Sequence, residues 1–130
     1  MIAVRSIYEE ALVALKSAGG LVLDEDETKR VINLHWQNGK MNTALLAQNI
    51  EVILDKTGLA HRADENTRFL ILPTTKVGPS AVISGEKMSQ FLSLYMAEDF
   101  DDAVNLAIKI QDYQGACLLY TSPSPRDFVR

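Results

Sequence analysis

The feature of the sequence that most constrains the fold is an apolar run that leads directly into an acidic helix start. Residues 91–95 are mostly apolar, which is typical of a β-strand that is covered on both faces. Shortly after this run, Asp99 can cap a helix, and Asp102 lies near the positive end of that helix's dipole. A buried strand followed by a capped helix favours an α/β fold.

The remaining pattern predicts strand, helix, helix, helix, strand, strand, strand, helix. The strands are predicted at residues 2–4, 68–72, 81–83 and 91–95, with a brief strand or extended link at 21–23. Capping signals at Ser6 with Glu9, at Asp24 with Glu27 and at Asn42 with Thr43 start the first three helices. Those helices end at Gly19, at about Trp36 and at Gly58, and Asn38-Gly39 forms a turn. The last helix is expected to bury Phe100, Ala103, Val104, Ala107 and Ile108.

Composition excludes several classes of protein. The chain has 130 residues, 47% of them hydrophobic, and a net charge of −4, which is typical of one soluble globular domain. The sequence has no apolar run long enough for a transmembrane helix and no basic stripe for a nucleic acid, and residues 1–5 are not expected to belong to a signal peptide, since they lack its long apolar core. A single cysteine cannot form an internal disulfide, so a reducing, cytoplasmic location is expected.

Three other candidate sites have structural interpretations. His35 and His61 lack partners at metal-ligand spacing, so ordinary packing or surface roles are expected for both. The acidic residues 24–27 lack the alternating ligands of a calcium loop and instead indicate a helix N-terminus. Gly19-Gly20 is not followed by the lysine and hydroxyl of a phosphate-binding loop.

One turn carries a carboxylate that could bind a ligand. Gly85 permits a tight turn, and Glu86 can accept hydrogen bonds from hydroxyl groups, although a glutamate in such a turn is most often simply solvated. The segment Glu86-Lys87-Met88, the strand at 91–95 and residues 99–103 together resemble the late catalytic domain of aldehyde dehydrogenases. The CoA-acylating branch is the most similar, and it usually has Pro and Val where this chain has Gln90 and Phe91.

This resemblance implies a fold and a set of ligands. Residues 1–116 would be the C-terminal part of a Rossmann-like, three-layer α/β catalytic domain. Glu86 would bind the ribose hydroxyls of the nicotinamide half of NAD or NADP. Met88 would lie near the nicotinamide ring, with core packing as its alternative role. Coenzyme A would be a co-substrate, a small aldehyde the substrate, and the intact enzyme a homo-oligomer.

A second segment also resembles the family. It usually reads Leu-Asn and, a few residues later, Val-Gly followed by Lys or Gln. Here the counterparts are Met41-Asn42 and Leu46-Ala47-Gln48. Ala47 replaces the usual glycine, which argues against a close approach of a ligand at this point.

The family reaction needs a cysteine thiolate that attacks the aldehyde, transfer of hydride to NAD(P)+ and transfer of the acyl group to CoA. In the family this cysteine precedes the position matched by Met1, so no catalytic residue is assigned here and the chain is expected to be inactive alone. Residues 117–130 look like translated sequencing adapter, a disordered and non-native tail, so Cys117 is not taken as the nucleophile. A small non-catalytic α/β interaction module is the alternative function.

Overall fold

The computed structural model describes residues 1–75, 77, 87 and 89–114. The strands of this part are β1 (Ile2–Val4), β2 (Gly20–Val22), β3 (Trp36–Gln37), β4 (Lys40–Met41), β5 (Phe69–Pro73) and β6 (Phe91–Ala97). Its helices are α1 (Tyr8–Ser17), α2 (Glu25–His35), α3 (Ile50–Thr57) and α4 (Phe100–Gln114), with short 3-10 turns at Arg5–Ile7 and Ala60–Arg62. The strand predicted at residues 81–83 lies outside the described residues.

The main sheet has the strand order β1-β6-β5-β2, and every neighbouring pair is parallel. Leu70 of β5 is paired with Phe91 of β6, and Ile2 of β1 with Tyr95. The strands β3 and β4 form a separate antiparallel hairpin. A parallel sheet requires helical cover on both faces, since its strands are buried on both sides.

The core confirms that requirement. Leu70 and Leu72 belong to one buried cluster, which also contains Val31 of α2 and Ile53 of α3. Ile71 belongs to a second cluster, against which Leu12 and other residues of α1 pack. Because successive side chains of a strand point to opposite faces, the two clusters lie on opposite sides of the sheet. The predicted three-layer α/β fold is therefore confirmed.

Several local predictions are also confirmed. The side chain of Asp24 accepts a hydrogen bond from the backbone N–H of Glu27 at 2.8 Å. The side chain of Glu27 accepts in turn from the backbone N–H of Asp24, which completes the capping box. Gly58 ends α3 with a φ of 72°. Asn38 and Gly39 both have positive φ, 54° and 76°, as required by a two-residue turn of the primed type between β3 and β4.

Two predicted helix starts are wrong. The chain leaves β1 through a 3-10 turn that contains Ser6, so α1 begins after Ile7 and has no side-chain cap. The helix predicted from Asn42 begins instead at Ile50, where the side chain of Asn49 caps the backbone N–H of Val52 at 3.2 Å. Short capping patterns are satisfied by many turns, so tertiary contacts decide which of them start a helix.

The predicted inner face of α4 is largely wrong. Phe100, Val104 and Ile108 are 75%, 40% and 51% exposed, and Ala107 is exposed as well. The partly buried positions of α4 include Ala103, Leu106 and Ile110. This helix packs on β1 and β6, and that contact turns a different side of it inward. We call Phe100, Val104 and Ile108 the α4 stripe.

Candidate functional site

The two predicted cofactor-binding residues, Glu86 and Met88, lie outside the described residues, and so does Cys117. The structure describes Lys87, which stands between the first two, and the chain from Ser89 onward. The candidate site is therefore built from the contacts that hold this flanking chain to the fold.

A buried histidine holds Lys87. His35 is the last residue of α2 and is fully buried. Its Nε2 lies 2.7 Å from the backbone carbonyl oxygen of Lys87, a contact between residues 52 positions apart in the sequence. A carbonyl oxygen only accepts hydrogen bonds, so Nε2 carries the proton and donates. Among the described residues, Nδ1 of His35 has no hydrogen-bond partner.

The surroundings of the ring keep His35 neutral. The rings of Trp36 and Phe91 meet it edge-on, with centroids 4.6 and 4.9 Å away. Burial lowers the pKa of His35; the bond to the Lys87 carbonyl raises it, and the positive charge of Lys87 lowers it further. The net shift is downward from 6.5, so the imidazole is uncharged at neutral pH.

The predicted packing role of His35 omitted this bond. Burial of the ring is consistent with packing, but the hydrogen bond across 52 positions is a separate function. The sequence does hold one signal, because His35 follows Val31 by one helical turn on the buried side of α2. A polar ring on a buried face needs a hydrogen-bond partner, although the sequence does not say which one.

A second contact holds the chain on the other side of Met88. The hydroxyl of Ser89 donates to the backbone carbonyl of Leu45 at 2.8 Å. Leu45 belongs to the loop after the β3–β4 hairpin, and it is itself 1% exposed. Residues 87 and 89 are thus tied to two neighbouring parts of the fold, the end of α2 and this loop.

Asn42 joins those two parts. Its side-chain amide donates to the carbonyl of Leu34 at 3.0 Å, and its backbone N–H donates to the carbonyl of His35 at 2.6 Å. These bonds satisfy carbonyls at the C-terminus of α2 that have no partner within the helix. Asn42 therefore closes a helix instead of starting one, which explains the error in the predicted third helix.

Ala47 lies in the same loop with a φ of 53°, in the left-handed region. This is the position at which the resembling family usually has glycine. An L-residue other than glycine is strained in that conformation, so the backbone keeps a glycine-like geometry although the side chain has changed.

The site lies at the amino ends of the central strands, because Lys87 and Ser89 directly precede β6. The amino group of Met1, just before β1, donates to the carbonyl of Ser93 at 2.8 Å. Burial and the charge of Lys87 both lower the pKa of this amino group. In open α/β sheets, ligands usually bind at the opposite edge, beyond the carboxyl ends of the strands.

A separate polar depression of about 490 Å³ lies beside β2, lined in part by Lys16, Arg62 and Arg68. Arg62 is paired with Glu27 and also donates to the Val22 carbonyl. Arg68 donates to the carbonyls of Glu65 and Thr67. The charge of Arg62 is thus paired with Glu27, whereas Arg68 is held by neutral carbonyl groups.

The residues that the structure describes contain no group of three or more His, Cys, Asp or Glu side chains placed to hold a metal ion. None of their helices is long and apolar enough to cross a membrane.

Comparison with known proteins shows which enzymes the chain is similar to. No family model matches the chain. Its homologues and structural neighbours are nevertheless CoA-acylating aldehyde dehydrogenases, which confirms the resemblance inferred for residues 1–116.

Individual relatives show how the match is distributed. The chain is 32% identical over 116 residues to the acylating sulfoacetaldehyde dehydrogenase of Cupriavidus necator, covering 89% of the chain and 24% of the relative. It is 34% identical over 110 residues to the bifunctional aldehyde-alcohol dehydrogenase AdhE of Escherichia coli K12, covering 85% and 12%. An acetylating aldehyde dehydrogenase from Geobacillus thermoglucosidasius superposes with a TM-score of 0.81 at 27% identity, over 88% of the chain and 25% of that structure. The chain thus spans a quarter or less of these relatives.

Proposed function

We propose that the chain is a part of an NAD(P)-dependent, CoA-acylating aldehyde dehydrogenase. The reaction would convert an aldehyde, CoA and NAD(P)+ into an acyl-CoA and NAD(P)H. The observation that carries this proposal is the match to acylating enzymes over 89% of the chain, together with the shared fold. A small aldehyde as substrate, a homo-oligomeric intact enzyme and a cytoplasmic location belong to the same proposal.

Within that enzyme, we propose that Glu86 binds the ribose hydroxyls of the nicotinamide half of the cofactor. Met88 would lie near the nicotinamide ring. The bound cofactor would supply the hydride acceptor. Two hydrogen bonds to a carboxylate contribute about 1.5–3 kcal/mol each. Their use is orientation of the ring for hydride transfer. The described residues fit this role because Lys87 and Ser89, the neighbours of Met88, are each bound to the fold.

Of the cations beside β2, Arg62 is paired with Glu27 and Arg68 is held by backbone carbonyls, so neither is assigned to the cofactor's phosphates. We assign the phosphates and the nucleophilic thiolate to other parts of the enzyme. Cys117, the only cysteine of this sequence, stands in the adapter-like tail.

It follows that the purified chain should show no dehydrogenase activity. The test is formation of NADH or NADPH from propanal, sulfoacetaldehyde or succinate semialdehyde in the presence of CoA. CoA-dependent turnover by residues 1–130, lost in a Cys117→Ser variant, would overturn the assignment of the nucleophile to another part of the enzyme.

The role of Glu86 can be tested in a complete enzyme. Residues 1–114 would replace the matched quarter of the Cupriavidus necator relative, and Glu86→Gln would be compared with the exposed Glu65→Gln. We expect Glu86→Gln to lower kcat/KM for NAD(P)+ by about ten-fold or more, since a charged hydrogen-bond acceptor is lost, and Glu65→Gln to leave it unchanged. Equal values for the two variants would contradict the proposal.

A non-catalytic interaction module is the second candidate, and the exposed α4 stripe is the observation in its favour. Large apolar side chains exposed in a row often mark a surface that another protein covers. The two candidates differ in the DNA upstream of Met1. A continuous reading frame that encodes a cysteine supports the enzyme, and a stop codon with a ribosome-binding site supports the module.

A further inference from the structure

The exposed side of α4 carries two rows of residues next to each other. The α4 stripe forms one row, and its three apolar side chains are each at least 40% exposed. Asp101, Asn105 and Lys109 form the neighbouring row and are exposed as well. We propose that this side of α4 binds the same side of α4 in a second copy of the chain, with the two helices antiparallel. The inference does not rest on the proposed function, since it concerns only the surface of α4.

The two rows follow from the helical repeat. Residues four positions apart lie on the same side of a helix, so the members of each row stand one above the other over two turns. The other side of α4 is already occupied, because the helix packs on β1 and β6 and partly buries Ala103, Leu106 and Ile110 there. The α4 stripe is therefore not the side that holds this helix to the sheet, and three large apolar side chains in a row favour contact with another surface.

The charges beside the α4 stripe have opposite signs and stand far apart. Lys109 follows Asp101 by eight positions, which is about 12 Å along the axis at roughly 1.5 Å per residue. That distance is too long for an ion pair within one helix. Among the described residues, neither of the two side chains forms a salt bridge. Each charge is therefore free to pair with an opposite charge on another molecule.

A second copy related by a two-fold axis pairs both charges. The midpoint of the α4 stripe is residue 104 and that of the two charges is residue 105, so one axis serves both rows. In this arrangement Asp101 of each copy faces Lys109 of the other, and two ion pairs form. The same rotation lays the α4 stripe of one copy along that of the other, with the helix axes about 8–10 Å apart. Contacts repeated by a two-fold axis are typical of homodimers.

The order of the charges also decides the direction of the pairing. In a parallel pair, Asp101 would face Asp101 and Lys109 would face Lys109, so both contacts would be repulsive. A different protein would need a matching pattern of its own, whereas a second copy supplies that pattern. One pair of 15-residue helices forms a small contact, so we expect a weak dimer with a Kd of about 0.1 mM.

The first experiment measures sedimentation equilibrium of the 130-residue chain between about 10 µM and 1 mM. Asp101→Lys and Lys109→Asp each place like charges at both contacts, so each should raise the Kd by about ten-fold or more. The double variant exchanges the two charges and should restore the wild-type Kd to within about three-fold. Glu10→Lys makes the same change of charge at an exposed position of α1 and should alter the Kd by less than about two-fold.

Three results of that experiment would overturn the proposal. A wild-type chain that stays monomeric at about 1 mM would mean that another part of the enzyme, or another protein, covers the α4 stripe. Single variants that associate as the wild type does would place the contact outside this side of α4. A double variant as weak as the single variants would show that Asp101 and Lys109 do not face each other. Urea denaturation of each variant checks that the fold is kept.

The second experiment tests the antiparallel geometry by disulfide cross-linking. Every variant carries Cys117→Ser, which removes the only cysteine of the sequence. Val104→Cys lies beside the two-fold axis and should form a linked dimer on mild oxidation. Val13→Cys, at an exposed valine of α1, serves as the control for random collision and should not.

The ends of the α4 stripe distinguish the two directions of pairing. In the antiparallel pair, residue 100 of one copy lies next to residue 108 of the other and about 12 Å from its own counterpart. Phe100→Cys chains mixed with Ile108→Cys chains should therefore form a mixed dimer, and neither variant should link to itself. Self-linking of each variant without a mixed dimer would show a parallel pair and contradict the proposal, as would a Val104→Cys chain that links no better than Val13→Cys.

Discussion

The helices α2 and α4 start in the same way, but their apolar sides differ in burial. Both begin with an aspartate cap, Asp24 or Asp99, that binds the backbone N–H three residues later at 2.8 Å. The apolar side of α2 is in the core, where Val31 is 0% exposed, whereas the α4 stripe faces outward. The difference teaches that an aspartate cap can start a helix in either setting, whereas burial of the helix depends on which other elements are present to cover it.

The largest expected effect on stability comes from making the same substitution, valine to alanine, in each of the two helices. Val31→Ala removes buried methyl groups and leaves a cavity, so we expect a loss of about 2 kcal/mol in the free energy of unfolding. Val104→Ala, at a position that is 40% exposed, should change it by less than about 0.5 kcal/mol. Urea denaturation of both variants measures this, and equal losses would show that α4 is buried in solution.

A second effect follows from the neutral, buried His35 of α2. Its pKa is lowered from 6.5, so as pH falls below about 6.5 the unfolded chain binds the proton before the folded chain does. The free energy of unfolding should therefore decrease by up to about 1.4 kcal/mol per pH unit until the folded pKa is reached, where this contribution levels off.

The measurement is a set of denaturation curves between pH 5 and 8, in steps of about half a unit. His35→Gln should lose this part of the pH dependence, and His61→Gln should keep it. The lowered pKa of the Met1 amino group acts in the same direction, so the contribution of His35 is the difference between the two variants. Identical curves for both variants would contradict the burial of a neutral His35.

A smaller effect is expected in the loop that closes α2. Ala47 has a φ of 53°, and Ala47→Gly relieves the strain of that conformation. Part of the gain is lost because glycine makes the unfolded chain more flexible. We expect a net stabilisation of about 0.5–1 kcal/mol, read from the midpoint of urea denaturation. A destabilised Ala47→Gly variant would show that the alanine methyl group makes a contact that outweighs the strain.

The smallest effect on stability is expected at the α4 stripe, where a substitution should instead change self-association and dye binding. Ile108→Lys should change the free energy of unfolding by less than about 0.5 kcal/mol, since Ile108 is 51% exposed. It should reduce the binding of an apolar dye and self-association in sedimentation experiments. A wild-type chain that is monomeric and binds no dye would show that the α4 stripe does not mediate self-association.

The sequence predicted the features that depend on a few neighbouring residues. The capping box at Asp24, the glycine end at Gly58 and the turn at Asn38-Gly39 all follow from local hydrogen bonds and allowed φ values. The apolar runs of β5 and β6 likewise predicted buried strands, which the structure pairs in parallel. Resemblance of a few motifs pointed to the family of the chain's homologues, which no single motif would have specified.

The failures involve long-range contacts. Asn42 looked like a helix start because nothing local shows that it binds carbonyls at the end of α2. The inward side of α4 depends on β1 and β6, and β1 lies at the other end of the sequence. The bond from His35 to Lys87 spans 52 positions, so the sequence could indicate a buried ring but not its partner. The assignments of Glu86 and Met88 stay predictions.

The pairing of β1 has a consequence for how the chain is made. Among the described strands, β1 pairs only with β6, and Arg5 just after β1 binds Glu98 just after β6 across 93 positions. At about 5–20 residues per second, a ribosome needs roughly 5–20 s to produce the second strand after the first. Until then Ile2–Val4 lacks its β6 partner, so this edge of the sheet can form only after the residues through Ala97 have been made.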